Sequence, residues 1–187
     1  RSMKSSASSA QVAAHCRRGG ALLCSGVWRE AQLEFEEALR AGHVSVDSAL
    51  CEIRIAEEQG ASEACEARVE AALGLVESWV IGGSLTGTLA AIATSIAALP
   101  CDTSMFSLRL HVTEAEVSQL SGNLDVAGDA LERAQAFLAN SGQQDSDLAA
   151  RLLIARSRQQ RLQGRTREAL AFSEAAVSMA ERLDGAV

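Results

Sequence analysis

Residues 25–41 read Ser-Gly-Val-Trp-Arg-Glu-Ala-Gln-Leu-Glu-Phe-Glu-Glu-Ala-Leu-Arg-Ala. Within them Gly26, Ala31, Phe35 and Ala38 stand five, four and three residues apart. The same intervals return at Gly60, Cys65, Val69, Ala72, at Gly122, Ala127, Leu131, Ala134, and at Gly164, Ala169, Ser173, Ala176. One spacing of glycine, small, usually apolar and alanine, kept four times, marks a repeated structural unit.

Each position has a physical task in a pair of antiparallel helices. The glycine stands where one amphipathic run ends and can take the left-handed backbone conformation that terminates a helix. The two small residues seven apart share a face of the next helix and let a neighbouring helix approach closely. The first two glycines are 34 residues apart and the last two 42 apart, and 34 is the period of the tetratricopeptide class of paired helices. On these residues the chain resembles the tetratricopeptide repeat (TPR) family over 12–73 and 108–183, as degenerate repeats. Trp28 supplies an aromatic two residues after the turn glycine, with Leu124 a weaker version; Ser62 and Thr166 depart from it, and the family's first-helix tryptophan and tyrosine and its closing proline are absent. The resemblance implies a right-handed α-α superhelix in which the first helix of each pair lines a concave groove that binds a protein partner.

Composition points the same way. One proline in 187 residues, no tyrosine and abundant Ala, Leu, Glu, Arg and Gln favour an all-α fold. Helices are expected over 9–24, 27–41, 45–59, 62–80, 84–99, 103–121, 124–140, 144–163 and 166–184, about nine in all. Residues 1–8 are expected to be a disordered tag remnant, and 9–187 a single domain with an irregular insertion about 78–101. That insertion is where the period fails: Gly60 and Gly122 are 62 residues apart, and between them lie Gly82-Gly83, Gly87 and Pro100. Ser78 to Cys101 carries no charge, and Gly83 and Gly87 form a GxxxG, so a membrane span is weighed against a helix buried on several sides and against self-association. The run is rich in Ala, Ser, Thr and Gly, which favours the buried helix.

Charge is uneven along the chain. Glu30 to Val80 holds twelve acidic residues against three arginines, whereas Arg151 to Arg167 holds six arginines and no acid; the net charge of −7 hides this. On a helix Arg151, Arg158 and Arg161 fall within about 80° of one another. By register Arg109 and Arg151 are equivalent, as are Arg54, Glu116 and Arg158, and Glu57, Gln119 and Arg161. Two readings stand: an ordinary solvated or ion-paired face, and a partner-binding groove in which Arg109, Arg151, Arg158 and Arg161 offer forked donors to an acidic or phosphorylated peptide. An apolar floor at Leu23, Leu50, Val112, Leu120, Ile154 and Leu162 would instead suit an amphipathic helix, part of it being core. The chaperone-tail clamp of some TPR domains is not recognisable, because Lys4 is the sole lysine and the first repeat offers Ala13, Cys16, Gly20 and Leu23 at the groove positions.

Chemistry finds little support. His15, His43 and His111 lack partners at motif spacing, and no phosphate loop, HExxH or GxSxG occurs. The five cysteines show no metal spacing and read as small, buried or partly buried free thiols in a reducing, cytoplasmic setting. No enzyme, no metal, no cofactor and no nucleic acid partner is expected, the acidic balance and few aromatics opposing the last. The sequence therefore predicts a non-catalytic adaptor or scaffold. A helical regulatory or sensor segment of a larger signalling or transcription protein and a self-assembling structural piece are the alternatives, and an acidic front with a basic rear leaves a head-to-tail homo-oligomer open.

Overall fold

The computed structural model describes residues 2–59, 62–84, 88, 91–92, 105–141 and 146–184, and their side chains from residue 9 onward except 53–59 and 184. The described residues form eight helices and no strand: α1 (Ser2–Cys24), α2 (Trp28–Ala41), α3 (Val46–Gln59), α4 (Glu63–Ile81), α5 (Met105–Leu120), α6 (Leu124–Ser141), α7 (Asp147–Leu162) and α8 (Thr166–Asp184). The fold is all-α, and seven of the eight helices lie within about three residues of the expected bounds. The helix expected at 84–99 falls almost wholly outside the described residues, as does most of the uncharged run 78–101. No described helix is long and apolar enough to cross a membrane. At the front, α1 starts at Ser2 where disorder to residue 8 was expected. No glycine or proline stands between Ser2 and Arg18, so the helix propagates through the serines once formed.

Serine starts three of the helices. Ser45, Ser62 and Ser146 accept from the backbone N–H groups of Ser48, Cys65 and Ala149 at 3.2, 3.3 and 3.2 Å, satisfying one orphan donor at each N-terminus. One device ends five of the described helices. Val27 N–H donates to Leu22 O at 2.9 Å and Gly26 N–H to Leu23 O at 3.0 Å, with Gly26 at φ +77°, which is the Schellman closure. The same pair of bonds recurs at Gly83, Gly122 and Gly164, at φ +79°, +79° and +76°. It recurs once more after α2, where His43 holds the left-handed position at φ +55°. Gly60 lies outside the described residues. Gly83 closes a turn that the repeated signature omits, and Thr88 and Ile92, five and nine residues later, are helical and buried as the signature's spacing requires.

The chain divides into two compact units, Arg1–Pro100 and Cys101–Val187. In the first, α1 pairs with α2, α4 packs against both, and α3 packs against α4. The signature residues are the contact: Ala31, Ala38, Val69 and Ala72 are fully buried, and Phe35 and Cys65 nearly so. The Phe35 ring lies between two glycines. A Cβ built on Gly74 of α4 would stand 2.3 Å from the ring, and one on Gly19 of α1 2.8 Å. Trp28 lies over Gly82 in the same way, at 2.7 Å. Trp79 and Phe106 are half-buried and Val80 is buried.

In the second unit α5 pairs with α6 and α7 with α8, while α7 packs against both α5 and α6. α7 thus stands to α5–α6 as α4 stands to α1–α2. Leu108, Val112, Leu131, Ala134, Phe137 and Leu152 form the centre of its core. Polar side chains tie the three helices: Gln119 Nε2 donates to Ala155 O at 2.8 Å and to Gln159 Oε1 at 3.2 Å, and Gln159 Nε2 donates to Leu124 O at 2.7 Å. Both glutamines are buried, so each bond replaces water that cannot reach it.

Gly74→Ala tests the Phe35 slot. Removing a glycine from a helix interior alone gains about 1 kcal/mol, but the overlap with the ring is expected to reverse the sign and cost about 1–3 kcal/mol. Urea unfolding of Gly74→Ala, Phe35→Leu and the pair checks this, with the double variant expected to lose less than the two single losses together.

Candidate partner-binding face of the last helix pair

The six arginines of 151–167 take different roles. Arg151 Nη2 meets Glu116 Oε2 of α5 at 2.5 Å, its Nε meets Glu116 Oε1 at 3.1 Å, and the pair is mostly shielded from solvent. It is a staple between α5 and α7. Arg109, half-buried on α5, is engaged as well. Arg156 lies 5.7 Å from the Phe172 ring centre, its Nε buried without a hydrogen bond, and burial lowers its pKa from the usual arginine value. Arg158 and Arg161, by contrast, form no ion pair among the described residues and line one groove.

That groove runs between α7 and α8 with a volume of about 620 Å³. It is lined by Ala150, Ala169 and Ala176 together with Ile154, Leu170 and Val177, and the exposed Ala180 stands on its rim. The turn at Gly164 and the seven-residue spacing of Ala169 and Ala176 hold the two helices in contact. Ser157 Oγ pins them mid-length, 2.8 Å from Ala169 O and 2.7 Å from Ser173 Oγ. With those alanines turned inward, the residues immediately after them turn outward. Leu170 is 59% exposed, Val177 58% and Ile154 52%, which are large values for aliphatic side chains grouped on one face.

Of the residues expected to bind a partner, Arg158 and Arg161 come together on this face, whereas Arg151 is paired with Glu116 of α5 and Arg109 is engaged elsewhere. The expected apolar floor divides in the same manner: Leu50 and Val112 are core, Leu23 is half-buried, and Leu120, Ile154 and Leu162 are exposed. Leu170 and Val177 escaped the sequence reading because they sit on the second helix of the pair. The signal that reveals them is their position one residue after the inward alanines.

Two of the three histidines, His15 and His111, have partners that sequence spacing did not show. His15 Nδ1 lies 2.7 Å from Glu34 Oε2, which also receives Arg18 Nε at 3.0 Å. His15 first, then Arg18, hold the Glu34 carboxyl below its ordinary pKa. In the second unit Glu114 meets Arg133 at 2.9 Å and the buried His111 at 3.4 Å. Burial pushes the Glu114 carboxyl up, but the bonds from His111 and Arg133 and the arginine's charge outweigh it and hold the group below the ordinary value. Both sites join neighbouring helices. Among the described residues no group of His, Cys, Asp or Glu is placed to hold a metal ion. Cys16 and Cys65 are buried free thiols, Cys24 and Cys51 exposed ones, so the expectation of burial fails for the latter two. Both lie on helix faces that no described neighbour covers.

No protein-family model matches the chain, and comparisons with curated proteins and with solved structures give no match either.

The Glu114 cluster predicts an acid-sensitive second unit. A carboxyl whose folded pKa is depressed contributes stability that is complete above the unfolded value of about 4.3 and is lost as pH falls through the folded value. Unfolding free energy followed by circular dichroism is expected to decline below about pH 4. Glu114→Gln is expected to lower neutral stability by about 1–2 kcal/mol and to flatten that decline.

Proposed function

We propose that the chain is a non-catalytic protein-interaction module, built of TPR-like helix pairs wound as a superhelix, that takes a partner peptide or helix on the α7–α8 face. The observation that carries this reading is one groove holding Ile154, Leu170 and Val177 exposed beside two arginines with no ion pair among the described residues. Aliphatic side chains left in water on one face gain free energy when covered, about 25 cal/mol per Å² of apolar surface. Arg158 and Arg161 add selectivity for an acidic partner, since a guanidinium approached by a like charge is penalised. The proposed role needs no catalytic group, cofactor or metal. The tetratricopeptide resemblance supports the reading through the recurring glycine turns and their buried small residues. The register rows expected to line a concave groove contribute less, because Arg151 and Glu116 neutralise each other within them.

The test is a set of pull-downs from cell extract, identified by mass spectrometry, with three baits: the native chain, Leu170→Asp with Val177→Asp, and Leu33→Asp on the exposed face of α2. A partner kept by the native chain and by Leu33→Asp but lost from the groove variant is expected. A partner kept equally by all three places recognition elsewhere and overturns the reading.

A further inference from the structure

The second unit contains its own example of how a helix covers a helix pair, and that example specifies what the α7–α8 face accepts. α7 packs against both α5 and α6. Its polar docking groups on α5 are Glu116, which takes the charge of Arg151, Thr113, whose Oγ1 accepts from Arg151 Nη2 at 3.4 Å, and Gln119, which donates to Ala155 O at 2.8 Å and to Gln159 Oε1 at 3.2 Å. Arg151, Ala155 and Gln159 are spaced by four, one stripe of a helix.

The turn glycines Gly122 and Gly164 put α5 and α7 in register, so that Glu116 corresponds to Arg158 and Gln119 to Arg161. The α7–α8 face therefore offers the Glu116 and Gln119 positions with the sign of the first reversed and the second changed from an amide donor to a guanidinium donor, while Ala155 stands at the position of Thr113. Ala155 is 1% exposed, so a small residue is what lets the helix backbone come within reach of Gln119. Resting on the reading that this face binds a partner, we propose that its occupant is a helix of a partner chain bearing a carboxylate at one position to meet Arg158. It carries a small residue four positions later, whose carbonyl oxygen accepts from Arg161, and Glu or Gln four positions after that, beside the same guanidinium. The occupant lies along α7 as α7 lies along α5, with apolar side chains between these positions seated against Ile154, Leu170 and Val177.

Charge complementarity selects the partner over a second copy. In this chain the pattern of acid, small and Glu or Gln at steps of four occurs at Glu58, Ser62 and Glu66, where the end of α3 at Gln59 and the start of α4 at Glu63 interrupt it. No continuous helix among the described residues presents it. The other strongly charged clusters, at Glu34 and Glu114, are filled by their own partners.

A displayed peptide library tests the proposal. Its scaffold is the sequence of residues 146–163, long enough to span the groove at about 1.5 Å per residue, with the positions of Arg151, Leu152, Ala155 and Gln159 randomised. Selection against the native chain is expected to enrich Asp or Glu over Lys or Arg at the Arg151 position by at least about tenfold, and a small residue at the Ala155 position. Selection against Arg158→Glu is expected to enrich Lys or Arg there instead. Enrichment that depends on Leu170 and Val177, being lost with Leu170→Asp and Val177→Asp, yet shows no charge preference or one indifferent to Arg158→Glu, overturns the proposed occupant and leaves the binding face standing. No enrichment by the native chain, or the same enrichment by the Leu170→Asp, Val177→Asp protein, overturns both. Far-ultraviolet circular dichroism and urea unfolding of each variant confirm that the selections compare folded proteins.

Discussion

Close approach of helix backbones at paired small residues is the constraint on which the rest of this structure depends. Ala31 and Ala38, Ala127 and Ala134, and Ala169 and Ala176 each stand seven apart, and all six are buried to 7% exposure or less. Two turns of helix separate the members of each pair, so both point at the same neighbour. A larger side chain at either position would hold the backbones apart and lose dispersion contacts along the whole interface. The glycine five residues earlier completes the arrangement, because its left-handed conformation reverses the chain within a few residues and fixes which face of the second helix meets the first. The Phe35 slot and the α7–α8 groove both follow from it. A flat ring fills the space that Gly19 and Gly74 leave. On α8 the inward alanines force Leu170 and Val177 into solvent, since the next residue on a helix lies about 100° around.

Charges then serve two ends. Glu34 with Arg18, Glu52 with Arg68, Glu114 with Arg133, and Glu116 with Arg151 each join two helices, and in the last three the carboxylate is at least four-fifths shielded from water. A shielded pair of this kind adds little net stability over a well-packed apolar contact, but losing one member is costly because the other is left desolvated. These pairs therefore specify which helices meet. Arg158 and Arg161 occupy the register of Glu116 and Gln119 without the internal answer that those residues have. The physical difference between a staple and a proposed docking group is whether a described helix is packed against it.

Much of the fold was legible in the sequence because helix ends and buried small residues are local signals. Gly26, Gly122 and Gly164 each terminate a helix as read, and the alanines that follow them are buried. Gly83 is legible as the break between helices expected over 62–80 and 84–99 but not as a further start of the signature, because its followers, Thr88 and Ile92, are less regular in type than in position. The histidine and carboxylate clusters were illegible for another reason. His15 and Glu34 are nineteen residues apart, as are Glu114 and Arg133, and only the pairing of helices brings such residues together. Arg151 was grouped with Arg158 and Arg161 because a helical projection gives direction but not the neighbour on that side. The start of α1 at Ser2 shows the opposite error, in which a polar serine run was read as disorder although nothing in it breaks a helix.

The central claim is that the α7–α8 face is where a partner sits. Photo-crosslinking from a benzophenone side chain placed at Ala180, an exposed residue on the groove's rim, measures this directly when compared with the same group at Glu37 on α2. The account predicts one defined adduct from Ala180, lost in Arg158→Glu with Arg161→Glu, and none from Glu37. An adduct formed from Glu37 alone, or equally from both sites and unchanged by the arginine reversals, would contradict it.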